Sequence, residues 1–359
     1  MIRLVKPYIA FEDVEGELRE IFSSGIFTKG TYSKLLPEKL IEYTGSEFAF
    51  LTSSATTALS MCLNLLEIGP GDEVIVSDFS FPASANVVED LGATTVLADV
   101  SLDTYNMLPS QLLQKITPQT RAVIFVDALG NPSGLEEIAA ICKEHDIPLI
   151  EDAACAFGSS VDGRKVGGIA DLTCFSMHPR KLLTTGEGGA ITTNNNEYAS
   201  ALKIKLNHGA NELGDFVTYG YNYRLSEIAC LMGCHQISTI DEVVEERRQQ
   251  YQAYTEHLAP LGFIPQQEAG KAYSNRQSVV FSVDTEIPRD ALIAALRERQ
   301  IETTLGTYCL SATTYYRDKY HSIQPHAHWL QQHTITLPCY RGLPLEEVCS
   351  AVEQALISL

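Results

Sequence analysis

The chain has 359 residues, 45% of them hydrophobic and 20% charged, a composition that can bury a sizeable core and that, at this length, predicts two domains. Its 45 acidic and 26 basic side chains leave a formal charge of −19, a surface that repels nucleic acid and anionic membranes. No apolar run approaches the roughly 18–20 residues of a membrane span.

The N-terminal segment MIRLVKPYIAFEDVEGELRE turns acidic and amphipathic where a secretory leader would stay apolar, which predicts a cytoplasmic protein. An odd count of nine scattered cysteines fits reduced thiols rather than a disulfide framework. From about residue 50 to 195, short apolar runs alternate with helical patterns. DEVIVSDFS, TTVLADV, RAVIFVD, IPLIEDA, DLTCFSM and GGAITTN read as strands; PASANVVEDLG and GLEEIAAICKEHD read as helices between them. This pattern predicts an α/β fold, a parallel or mixed sheet covered on both faces, whose ligands bind outside the carboxyl ends of the strands. The pattern predicts one long helical stretch over 226–260 that links a large domain (31–245) to a smaller C-terminal α+β domain (246–359). In that smaller domain QSVVFSV and IETT read as strands, RDALIAALRERQ and LEEVCSAVEQALISL as helices. Residues 1–30 are expected to pack on the small domain or on a partner subunit. Within the helical stretch, Cys230, Cys234 and His235 have spacing that a metal could use, but in a helical pattern they read better as packing residues, and no metal is expected.

Four segments carry chemistry. Glu151-Asp152 closes the apolar strand IPLIEDA, and a carboxylate there needs a cationic partner. A structural ion pair, a helix cap and a carboxylate facing a protonated ring nitrogen all satisfy that need. DLTCFSMHPRKLLTTGEGGAITTN runs from a strand through Ser176, His178, Arg180 and Lys181 into a Gly-rich turn. Lys181 is either a solvated surface charge or an amine held as an imine, and Asp152 on a neighbouring strand end favours the second. In LTSSATTALSMCLNLLEIG, Ser54, Ala55 and Thr56 stand at a helix start, which can be a phosphate site or an ordinary cap. Phe81, in SDFSFPASANVV, can stack on a flat ring or belong to the core.

Taken together the chain resembles the DegT/StrS sugar aminotransferases, pyridoxal-phosphate enzymes with the aspartate-aminotransferase fold. The resemblance runs through KPYIAFEDVEGELREIFSSGIFTKG, SSATTAL, SFPASAN, EDAACAFGS, GRKVGGIADLTCFSMHPRK, TTGEGGAITTN, GYNYRLSEIACLMG and LPCYRGLPLEEV. It implies pyridoxal 5'-phosphate as cofactor, held by Lys181 as a Schiff base that also moves protons. Asp152 would keep the pyridine nitrogen protonated and Phe81 would stack on the ring. Ala55, Thr56 and Ser176 would meet the phosphate, and Asn222 would reach the cofactor of a neighbouring subunit in a homodimer with shared sites. Arg224 would order that loop or pair at a helix start, and His178 would be structural or near the substrate. Where the family usually has Gln in contact with the ring oxygen this chain has Cys155, and it has Ala55 where Gly is usual. The segment TTLGTYCLSATTYYRDKY lacks the family's substrate-side His residues.

The implied reaction moves an amino group from a small donor, glutamate, to a keto sugar carried on a nucleotide. Arg180, Arg224, Lys29 and Arg317 are the expected cations around the acceptor. Amination of a cyclitol or other polyol ketone is an alternative, as is a non-catalytic sensor that retains the fold. No G-x-G-x-x-G follows a strand, which speaks against a nicotinamide enzyme.

Overall fold

The computed structural model describes residues 1–359. Its first helix, α1 (Glu15–Ser24), is followed, after a further helix over Tyr32–Thr44, by strand β1 (Phe48–Thr52) and helix α2 (Ala55–Leu65). Strand β2 (Glu73–Ser77), helix α3 (Ala83–Asp90), and strands β3 (Thr94–Ala98), β4 (Thr120–Val126), β5 (Leu149–Asp152), β6 (Leu172–Ser176) and β7 (Gly189–Thr193) complete the large domain's sheet. The order is β1-β7-β6-β5-β4-β2-β3. β7 runs antiparallel to both its neighbours, and every other pairing is parallel, so the sheet is mixed. The strands are apolar on both faces because helices cover both, as α2 and α3 do on one side. The six runs read as strands and the two read as helices all form. β1 was hidden by the hydroxyl-rich turn that follows it, Thr52 to Thr57.

The helical stretch over 226–260 divides into α4 (Glu227–Ile237) and α5 (Ile240–Leu258). At the break, Ser238 Oγ donates to the His235 carbonyl and Thr239 Oγ1 to that of Gln236, so two hydroxyls take over carbonyls a continuous helix would use. Cys230 and Cys234 face the core from α4. α5 leads into a four-stranded antiparallel sheet with order β8-β9-β11-β10, built from β8 (Phe263–Pro265), β9 (Val279–Val283), β10 (Thr304–Leu305) and β11 (Thr334–Leu337). Ile2 bridges Ile301 at this sheet, while α1 packs through Val14 and Ile21 on Leu231 of α4.

One segment departs from a clean division of the chain. After β10 the backbone returns to the large domain, where Tyr308–Cys309 pairs with Phe79–Ser80. Leu310 and Tyr316 then join the core under α2 and α3. Asp78, buried at the end of β2, fixes this return by accepting from Ser311 N (2.7 Å), Ser311 Oγ (2.6 Å) and Cys309 Sγ (3.2 Å).

Candidate active site

The carboxyl ends of β4, β5 and β6 open into a cavity of about 590 Å³. Small-domain residues Val279, Thr336 and Leu337 and the stretch Thr304–Tyr308 close its far wall. Asp152, last residue of β5, is buried at its base. Ser84 Oγ of α3 donates to Asp152 Oδ2 at 2.6 Å and the Ala154 amide to Oδ1 at 3.2 Å. Burial raises the Asp152 pKa; these two bonds and then the Lys181 charge oppose the rise. No arginine neutralises this carboxylate, and its one cationic influence from the chain is Lys181.

Lys181 follows β6 on the loop to β7. Its Nζ donates to Cys155 Sγ at 3.0 Å, inside the cavity. Gln277 holds the lysine's backbone on both sides: its Oε1 accepts from Leu182 N at 2.9 Å and its Nε2 donates to the Arg180 carbonyl at 2.7 Å. Arg247 of α5 in turn donates from Nη2 to the Gln277 carbonyl (2.7 Å), from Nε to that of Arg276 (2.9 Å) and from Nη1 to that of Cys339 (2.8 Å). Arg247 is 2% exposed. Nothing in the sequence marks it, since it stands in the run EERRQQYQ, which reads as a solvated helix face. Gln277 is equally invisible, because its partners lie almost a hundred residues away. Ser84 was within reach of the reading, three residues beyond Phe81 in SFPASAN.

Ser54 caps α2 in extended conformation, its Oγ accepting from Thr57 N (3.1 Å) while Thr57 Oγ1 accepts from Ser54 N (3.0 Å). The reciprocal bond belongs to Thr57, which leaves the Thr56 hydroxyl exposed at the cavity with the amides of Ala55 and Thr56. The turn is pressed against β7: a Cβ on Gly189 would lie 2.4 Å from the Ser54 carbonyl carbon and 2.7 Å from Ala55 N. Ser176 Oγ, at the end of β6, accepts from His178 N at 3.4 Å and lines the same end of the cavity. Phe81 is 65% exposed, with its ring centroid 6.3 Å from that of Tyr308. Asp152, Lys181, Cys155, Ala55, Thr56, Ser176, Phe81 and His178 therefore share one cavity. Asn222 does not: it is exposed on the loop before α4 and outside the cavity of its own chain.

Of the four cations expected around the acceptor, only Arg180 lines the cavity. Lys29 Nζ bonds Asn207 Oδ1 at 3.3 Å, Arg224 Nη2 meets His208 Nε2 at 3.0 Å, and Arg317 pairs with Asp318 at 3.0 Å. Each has found a partner on its own surface, away from the strand ends.

A buried carboxylate and an amine in one cavity, a helix start with open amides and an exposed flat ring form a set suited to a phosphorylated aromatic cofactor with an aldehyde. The family model of the DegT/DnrJ/EryC1/StrS aminotransferases matches residues 10–355, and the chain belongs to this family. Its members depend on pyridoxal 5'-phosphate and are enzymes. Among solved structures, the aminotransferase TlmJ from Streptoalloteichus hindustanus is 28% identical, with a TM-score of 0.93 over 100% of this chain and 99% of that one. Helicobacter pylori PseC, an aminotransferase of pseudoaminic acid biosynthesis, is 26% identical with a TM-score of 0.93 over 100% of both chains. S. venezuelae DesV is 26% identical with a TM-score of 0.91 over 99% of this chain and 98% of that one. The fold is that of the pyridoxal-phosphate sugar aminotransferases, fold type I. No helix is long and apolar enough to cross a membrane.

Proposed function

We propose that this aminotransferase takes an amino group from glutamate and places it on a keto sugar carried by a nucleotide, as a cytoplasmic homodimer. The observation that carries the reading is the cavity shared by Asp152 and Lys181, two groups that have no other structural task there. Bound pyridoxal phosphate supplies an electron sink through which an amino group is taken up and handed on.

The chain's own residues divide the remaining work. Lys181 would hold the cofactor through its Nζ, and the same amine would serve as the proton carrier of the transfer. Asp152 holds a proton at the ring nitrogen, and Ser84 fixes the carboxylate for that task. The amides of Ala55 and Thr56, the Thr56 hydroxyl and Ser176 Oγ receive the phosphate at the start of α2. Phe81 covers the ring face, and Cys155 stands where the ring oxygen is expected. Asn222, outside its own cavity, serves the site of the other subunit. A second reading, a neutral polyol or cyclitol ketone as acceptor, is favoured by the cavity wall Thr304–Tyr308 and by Arg180 as the one expected cation facing it.

The test is a two-stage assay. Glutamate alone should convert the yellow enzyme to its amine form, and a panel of nucleotide keto sugars should then restore the original absorbance. With an acidic protein, binding of a diphosphate acceptor through Arg180 should weaken as salt rises. Return of the absorbance only with neutral cyclitol ketones, at a salt-independent Michaelis constant, would establish the second reading instead.

A further inference from the structure

Two carboxyls at the base of the cavity, Asp127 in its lining and Glu151 behind it, have no task in the reaction. Asp127 directly follows β4, Glu151 is the penultimate residue of β5, and the two strands run parallel with Phe125 opposite Glu151 and Val126 opposite Asp152. Side chains alternate along a strand, so Asp127 and Glu151 share the face that Phe125 occupies, and Asp152 points to the other. Asp127 and Glu151 are both wholly buried. Glu151 Oε2 accepts from Thr173 Oγ1 at 2.7 Å. Glu151 Oε1 and both Asp127 oxygens are buried and meet no donor. The ionisable groups that bear on the pair are Asp152 of β5, Cys155 of the following loop and Cys174 of β6; none is a cation. Lys181 acts on Asp152.

Two buried carboxylates without a cation cannot both stay charged, and three orphaned acceptors are costly when a single proton would pair two of them. We propose that Asp127 and Glu151 share one proton, carried by Asp127 and donated to Glu151 Oε1, so that the strand ends beneath the cofactor bear one charge fewer than their carboxyl count. Glu151 is the better anion because Thr173 already donates to it. Burial raises both pKa values: the repulsion of Glu151 adds to the rise at Asp127, whereas the bonds from Thr173 and then Asp127 oppose it at Glu151, which is pushed up to about 7, so the proton belongs on Asp127. The backbone joins the pair to the site: Asp127 N donates to the Asp152 carbonyl at 3.2 Å. A second full charge here would favour the neutral form of Asp152, which cannot hold a protonated ring nitrogen. Asp127 and Glu151 are thus positioning residues for Asp152. That consequence rests on the role proposed for Asp152, whereas the shared proton does not.

Infrared difference spectroscopy of the holoenzyme near neutral pH reads the proton itself. A carboxylic-acid C=O band should be present in the wild type, persist in Asp78→Asn and vanish in Asp127→Asn, whose amide gives Glu151 the same hydrogen bond without an acid proton. Should Asp127→Asn not fold, Glu151→Gln makes the same test from the other side. Absence of the band in the wild type, or its survival in both variants, overturns the proposal. Denaturant unfolding supplies a second measure. The native wild type holds a proton that the unfolded chain releases above the ordinary carboxyl range. Its folding constant relative to Asp127→Asn should therefore fall about tenfold per pH unit up to the raised pKa of the pair. A ratio that does not change with pH would also overturn it.

Discussion

Lys181 and Asp152 are where a single atom decides most. Lys181→Ala removes the attachment point and the mobile proton together, so turnover should be lost. Borohydride reduction of the wild type should fix the yellow chromophore on Lys181 in a peptide map; transamination by the alanine variant near the wild-type rate would refute the assignment. Asp152→Asn keeps the shape and both of its hydrogen-bonded neighbours but loses the charge that holds the ring proton. A charge-assisted contact of this kind is worth about 2–4 kcal/mol, so kcat should fall roughly 30- to 1,000-fold while circular dichroism stays native. Asp152 ends an apolar strand and Lys181 lies on the loop after one, where the topology of any such sheet places ligands, so both stand out in the sequence. Arg247 and Gln277 do not. Their roles depend on which distant backbone comes to rest beside them, and local pattern says nothing of that: Arg247 sits among charged neighbours on α5 yet spends its donors on three carbonyls of the small domain's approach.

The turn Ser54–Thr57 shows how elements set the site. Local sequence gives the cap and the helix; the pressure of β7 gives the turn its place. Gly189→Ala would drive a methyl into the Ser54–Ala55 backbone, whose amides face the cavity. Loss of even one good bond to the phosphate, about 1.5–3 kcal/mol, should weaken pyridoxal-phosphate affinity roughly tenfold or more. Titration of apoenzyme followed by absorbance would measure it, and an unchanged dissociation constant would detach the phosphate site from this turn. Ser54→Ala removes the cap of α2 alone and should lower stability by about 1 kcal/mol, seen as a small drop in melting temperature. The strands of the large sheet were readable from their apolar runs and the helices from their period. The helical stretch over 226–260 is legible, but not its division, because Ser238 and Thr239 break it by side-chain bonds that periodicity does not register.

At the scale of the whole molecule, the placement of Asn222 outside its own cavity gives the proposed dimer a direct assay. A Lys181→Ala protomer mixed with an inactive Asn222→Ala protomer should recover part of the activity, since some mixed dimers contain one site free of both lesions. No recovery, with heterodimers verified by mass, would mean that each chain builds its site alone. The return of residues 308–320 to the sheet of Asp152 is not readable in the sequence, because hydroxyls and aromatics do not announce the partner they pack on. That return has a consequence for how the protein can change. The far wall of the cavity, Thr304–Tyr308, runs straight into the Cys309–Ser311 stitch on Asp78. Pocket and seam are one piece of cloth. A lineage or an engineer that alters the wall to admit a new acceptor also retunes the fastening between the lobes. A change to the wall therefore bears on the fastening as well, and a graft of this segment should carry its Asp78 anchor.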